Sequence, residues 1–99
     1  MSAETNLLAG ERQASSEVRA GYAVSERLVK VAEATRQAAA LAKEARDLAA
    51  LAYREGATTN LELLDAERRA REAQSAAIVA EDAVRQNRLE LLVAAGLFP

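Results

Sequence analysis

The sequence predicts an all-α protein built as one long antiparallel helical hairpin, and three observations carry that prediction. Alanine supplies 25 of the 99 residues, while aromatics are 3% of the chain and there is one proline, Pro99. Such a composition favours long helices and lacks the aromatic and β-branched bulk a sheet needs. The chain has one strong break, Gly56-Ala57-Thr58-Thr59. On both sides of it apolar residues recur every three or four positions.

The first helix is expected over about residues 4–55, where only Gly10 and Gly21 weaken it, each by about 1 kcal/mol relative to Ala. Gly56 stands where a helix C-terminus needs a residue able to adopt positive φ. The turn is expected at 56–59. Thr59-Asn60-Leu61-Glu62 fits a capping box opening the second helix, over about residues 60–95. Gly96 would close it, and Pro99 could not extend it. Two helices joined by so short a loop fold back antiparallel as a single unit.

In the first helix Val24, Leu28, Val31, Ala34, Ala38, Leu41, Ala45, Leu48 and Ala52 step by threes and fours; in the second, Leu63, Ala66, Ala70, Ala73, Ala77, Ala80 and Val84 do the same. The mean step is near 3.5, the left-handed coiled-coil repeat, and these two rows are expected to form the packing seam. An Ala seam permits close backbone approach but buries little area, so a lone hairpin of this kind should be marginal. Val18, Val29, Leu51, Leu64, Ile78, Leu89, Leu92 and Val93 fall off the seam. They read either as ordinary slack on partly exposed helices or as a second stripe that needs a second neighbour. The first helix could reach about 75 Å and the second about 54 Å, so residues before about Gly21 should overhang. Self-association is the expectation.

Composition excludes several function classes. His and Cys are absent, which removes imidazole bases, thiol nucleophiles, disulfides and the His/Cys zinc sets. No catalytic residue, metal site or cofactor is expected, and no enzyme activity. The 13 basic and 15 acidic residues are mixed along the chain, without the basic excess that nucleic-acid binding draws on. No uncharged run approaches the roughly twenty residues of a membrane span, and the N-terminus lacks the features of a secretion signal.

The stretch Tyr53-Arg54-Glu55-Gly56-Ala57-Thr58-Thr59-Asn60-Leu61-Glu62-Leu63-Leu64-Asp65-Ala66-Glu67-Arg68 resembles the tip of the second helical hairpin of TolC-type outer membrane efflux proteins. Glu17 to Tyr22 resembles the start of that hairpin, and Ala73-Gln74 with Leu89 to Gly96 its return helix, so the likeness runs over roughly Glu11 to Gly96. The Gly-Ala-Thr turn and the Leu-Phe-Pro ending lean toward the heavy-metal efflux branch. The resemblance implies one stave of a trimeric periplasmic α-barrel, whose tips meet a periplasmic adaptor protein and an inner-membrane pump. The family's β-barrel strands, first hairpin, signal peptide and lipidation cysteine have no counterpart here, so the chain corresponds to a C-terminal segment, soluble in itself, of a periplasmic portion.

Two groups of site residues follow from the resemblance. Glu62 and Asp65 would form acidic rings at the channel entrance, where three copies of each would attract cations. The plain alternative is local: acids favour a helix N-terminus, Glu62 completes the capping box and Asp65 can pair with Arg69. Gly56, Ala57, Thr58 and Thr59 would be the adaptor-docking tip, or simply a short turn. Thr58 occupies the position where some members carry a basic latch residue, so a latch of that type is not expected here. Arg68, Arg69 and Arg71 read as a solvated face with Glu62, Asp65, Glu67 and Glu72, and Tyr22 and Tyr53 as packing residues. A scaffolding coiled coil without a transport role, or the hairpin of an adaptor protein, are the competing classes.

Overall fold

In the computed structural model the described residues are 3–96, with side chains described for 10–13, 16 and 19–96. Among the described residues there are two helices, α1 over Ala3–Arg54 and α2 over Asn60–Ala94. The helix α1 runs through Gly10 and Gly21 without a break, because two glycines cost little in 52 residues of strong helix formers. There is no strand among the described residues. The molecule is a rod of 81 × 25 × 15 Å, as an antiparallel hairpin of these lengths requires. The side chain of Val18 and the Leu-Phe-Pro ending at 97–99 lie outside what is described.

Both helix ends are closed by glycine. At Gly56 (φ 78°) the Gly56 N–H donates to the Tyr53 carbonyl at 3.1 Å and the Ala57 N–H to the Ala52 carbonyl at 2.8 Å. This is the paired bonding of a Schellman motif, which satisfies carbonyls that the end of α1 would leave without partners. Gly96 (φ 72°) donates likewise to the Val93 carbonyl at 3.0 Å.

The row expected in α2 is the row that faces α1. Ala70, Ala77 and Ala80 are buried, Leu63, Ala66, Ala73 and Val84 are half-buried, and Asn87 and Leu91 extend the same spacing to the end of the helix.

For α1 the expected row must be corrected. Of Val24, Leu28, Val31, Ala34, Ala38, Leu41, Ala45, Leu48 and Ala52, only Leu28 and Ala52 are turned inward. Val31, Leu41 and Leu48 are 51%, 65% and 67% exposed, and Val24, Ala34, Ala38 and Ala45 are exposed as well. The inward row lies almost entirely one residue further on: Gly21, Ser25, Leu28, Ala32, Thr35, Ala39, Ala42, Arg46 and Ala49. It alternates four and three without a slip, so its period is the same 3.5.

The physical reason is closeness of approach. A Cβ on Gly21 would stand 2.8 Å from Leu91 Cδ2, so the backbone of α1 passes against the side chain of α2 at that level. One turn further along α1 and one turn back along α2, the Ser25 hydroxyl donates to the Asn87 amide oxygen. Two helices packed Ala against Ala have no room for a Val/Leu row between them, and the half-buried Ser25 hydroxyl finds a partner in Asn87. Continuing that register brings Leu28 level with Val84 and Ala32 level with Ala80. It also leaves α1 before about residue 18 beyond the last turn of α2, which is the expected overhang.

Gly21→Ala is expected to stabilise the hairpin slightly, by less than about 1 kcal/mol. The new methyl gains helix propensity, and the atom it meets is the free end of Leu91, which can rotate away. A thermal melt of the variant at fixed protein concentration checks this, and a loss exceeding 1 kcal/mol would mean that Leu91 cannot yield.

Candidate functional site: the hairpin tip

The tip is assembled by three neighbouring local devices. Thr59 is the N-cap of α2, in extended conformation (φ −90°, ψ 158°), and its hydroxyl accepts the Glu62 N–H at 3.1 Å. That is one half of the expected capping box. The other half is replaced: the Glu62 carboxylate accepts from the Thr58 hydroxyl instead of reaching back to the Thr59 N–H. Thr58 is half-buried while Gly56, Ala57 and Thr59 are exposed, so the turn presents small groups and little else.

Asp65, one turn into α2, is held between two guanidinium groups. Arg68 Nη2 donates to Asp65 Oδ1 at 2.7 Å, and Arg69 Nε lies 3.0 Å from Asp65 Oδ2. Arg68 also reaches Glu72 through Nη1 at 3.0 Å. These are the three- and four-residue spacings at which helix side chains meet. The pairing of Asp65 with Arg69 is as expected, and Arg68 joins it. The hydrogen bond from Arg68, followed by the charge of Arg69, holds the Asp65 carboxyl below its ordinary value, against some opposition from desolvation. The Arg68 guanidinium is raised chiefly by the same bond.

A carboxyl depressed on folding contributes stability above its unfolded pKa and loses it as pH falls through the folded value. Asp65→Asn is therefore expected to lower the melting temperature at neutral pH, with the difference from the parent chain starting to shrink only as pH falls below about 4 and vanishing below the lowered folded value. The pair is exposed, so added salt should shrink the effect. A difference that does not shrink as pH falls from about 5 to about 2 would mean that the substitution acts through something other than charge.

Glu62 and Asp65 are thus each engaged locally, one by a turn hydroxyl and one by two arginines, and they share no partner. What the sequence reading missed at the tip is Leu61, which joins the off-seam Leu64 on an apolar side. Leu61 and Leu64 are 77% and 52% exposed, and with Asp65, Arg68 and Arg71 they line a shallow depression. The signal was available, since Leu61 and Leu64 are three apart and the seam takes Leu63. Tyr22 and Tyr53, expected as packing residues, are both exposed. Tyr53 contributes its carbonyl to the Gly56 cap.

The two sides of the rod differ in chemistry. One side carries Glu33, Arg36, Glu81, Arg85 and Arg88 around a shallow groove, with Arg36 and Glu81 paired across the helices at 3.6 Å. The other carries an almost wholly apolar groove between Leu28, Val31 and Thr35 of α1 and Ser75, Ala76, Val79, Ala80 and Ala83 of α2. No described helix is long and apolar enough to cross a membrane. The fold and tip therefore define a helical-hairpin protein with a charge-lined groove on one side and an apolar groove on the other. Comparison with protein-family models, curated proteins and solved structures finds no match for this chain.

Proposed function

We propose that this chain is a periplasmic helical hairpin of a TolC-type outer-membrane efflux duct, contributing staves to a trimeric α-barrel. The observation that carries the reading is the tip, where a glycine-closed helix, a turn of small residues and the Leu61-Glu62-Leu63-Leu64-Asp65-Ala66 run stand in the order of the family's motif. The apolar side of the rod adds support, because a stave needs a second neighbour besides its own return helix. In this reading Gly56, Ala57, Thr58 and Thr59, with the exposed Leu61 and Leu64 beside them, meet the periplasmic adaptor that links the duct to its inner-membrane pump. Glu62 and Asp65 ring the entrance, their local partners setting their orientation.

The coding context tests it. An open reading frame that continues upstream through strand-forming segments and a similar hairpin supports the duct, whereas a stop codon directly before Met1 overturns it. In a full-length trimer, replacing Glu62 and Asp65 together by Ala should weaken cation block and raise single-channel conductance in a planar bilayer. Unchanged conductance would leave the two acids with their capping and pairing roles alone. The second reading is a scaffolding antiparallel coiled coil with no transport role, favoured by the engagement of both acids within the hairpin.

A further inference from the structure

The row of α1 that the hairpin leaves outside has an internal symmetry. Counted as a heptad, Val24, Val31, Ala38 and Ala45 occupy one core position and Arg27, Ala34, Leu41 and Leu48 the other. All eight are exposed, and from Val24 to Leu48 they cover about 36 Å of helix. Reversing the direction of the chain about residue 36 maps this row onto itself. Val24 then falls on Leu48, Val31 on Leu41 and Ala34 on Ala38, each a core position of one kind opposite one of the other kind. Antiparallel helices pair their core positions in this way.

The charges along the outer edge of the row are arranged about nearly the same point. That edge reads Lys30, Gln37, Glu44 and Leu51 at successive heptads. The reversal that stacks the core brings Lys30 level with residue 42, Glu44 with residue 28 and Gln37 with residue 35, so Lys30 and Glu44 of opposite copies, and the two Gln37, stand within two residues, about 3 Å along the axis, of each other. Lys30 and Glu44 are exposed, and neither forms an ion pair among the described residues. The inner edge of the row, Leu28, Thr35, Ala42 and Ala49, already faces α2. A parallel copy in register would instead set Lys30 level with Lys30 and Glu44 level with Glu44, leaving both without a complement. A lipid surface would be met by an edge of one sign rather than by a basic half and an acidic half.

We propose that a second copy of this chain occupies the apolar side, antiparallel to the first, with a two-fold axis beside Gln37. The interface is isologous: α1 packs on α1 through Val24, Val31, Leu41 and Leu48, with a Lys30–Glu44 pair at each end. The groove between the helices on that side adds the exposed Val79 to the covered surface. The opposite side of the rod, with Glu33, Arg36, Glu81, Arg85 and Arg88, stays in water. The inference goes beyond the efflux reading and does not rest on it, since it concerns how the 99-residue chain covers its own apolar face.

The chain has no cysteine, so single introduced thiols report the geometry directly. Under mild oxidation Gln37→Cys is expected to convert most of the protein into a disulfide-linked dimer. Lys30→Cys alone and Glu44→Cys alone should stay largely uncrosslinked, because the thiols lie about 18 Å and about 24 Å along the axis from their own mates. Mixing those two variants should give the crosslinked heterodimer. Lys30→Glu should weaken association roughly fivefold, and adding Glu44→Lys should restore it. Self-crosslinking of Lys30→Cys as efficient as that of Gln37→Cys would overturn the antiparallel arrangement. So would a monomer or a trimer in sedimentation of the unmodified chain. None of these failures bears on the coding-context test of the duct.

Discussion

Replacing Ala70 by Leu is expected to destabilise the hairpin by about 2 kcal/mol or more, a large fraction of what so small a core can supply. Ala70 is 3% exposed, the most buried of the four buried apolar residues in the described chain, and all four are alanine. A Leu there has three further carbons to place in a seam packed methyl against backbone, so α1 must move outward or the side chain must leave its rotamer. Moving α1 outward also threatens the Ser25–Asn87 hydrogen bond and the Gly21–Leu91 approach, which depend on the same spacing. Leu41→Ala is the control. Leu41 is 65% exposed on the outer row, so its truncation should leave the fold of the single hairpin almost unchanged while weakening association. Urea unfolding of the two variants separates these outcomes. Equal losses from both would mean that the outer row belongs to the intrachain core after all.

Dilution is expected to melt the chain. Among the described residues no side chain is less than 2% exposed, and each methyl group removed from water contributes about 0.8 kcal/mol. Four buried alanines hold 52- and 35-residue helices poorly against the conformational entropy of ordering them. Coverage of Val24, Val31, Leu41, Leu48 and Val79 by another molecule makes up the difference, and stability then follows protomer concentration. Over a hundredfold dilution the linked free energy is about 2.7 kcal/mol, which for a chain of this size moves the melting point by roughly 10 °C. Circular dichroism paired with sedimentation over that range reads both quantities. A helical monomer with a constant melting point would show that the Ala seam suffices alone.

Both expectations turn on packing that a residue pattern only partly encodes. The ends of the helices were legible because their determinants are local. Gly56 adopts the positive φ that its place after Tyr53-Arg54-Glu55 asked for, and Thr59 caps α2 through the predicted hydroxyl. The ion pair of Asp65 with Arg69 follows from a four-residue spacing on one helix. Even at the tip, though, the partner of the Glu62 carboxylate was misassigned, because Thr58 and Thr59 offer it two donors within one residue of each other. Backbone direction at the turn decides between them.

Residue preferences within each helix make this protein two long helices folded back on one another, and set where each begins and stops, the 3.5-residue period, and the alanine row of α2 that faces inward. Those features depend on propensity, caps and spacing within a single helix. Which row of α1 meets that alanine row is settled only when the two helices pack. Two rows with the same period lie one residue apart on α1, and hydrophobicity alone favours Val24, Val31, Leu41 and Leu48. The fold takes Gly21, Ser25, Ala32, Thr35, Ala39 and Ala42 instead. Two backbones drawn close by small residues gain contact along the whole seam and give Ser25 its partner in Asn87. The bulkier row is left facing outward, and that choice depends on the distance between two helices, a quantity no single helix contains.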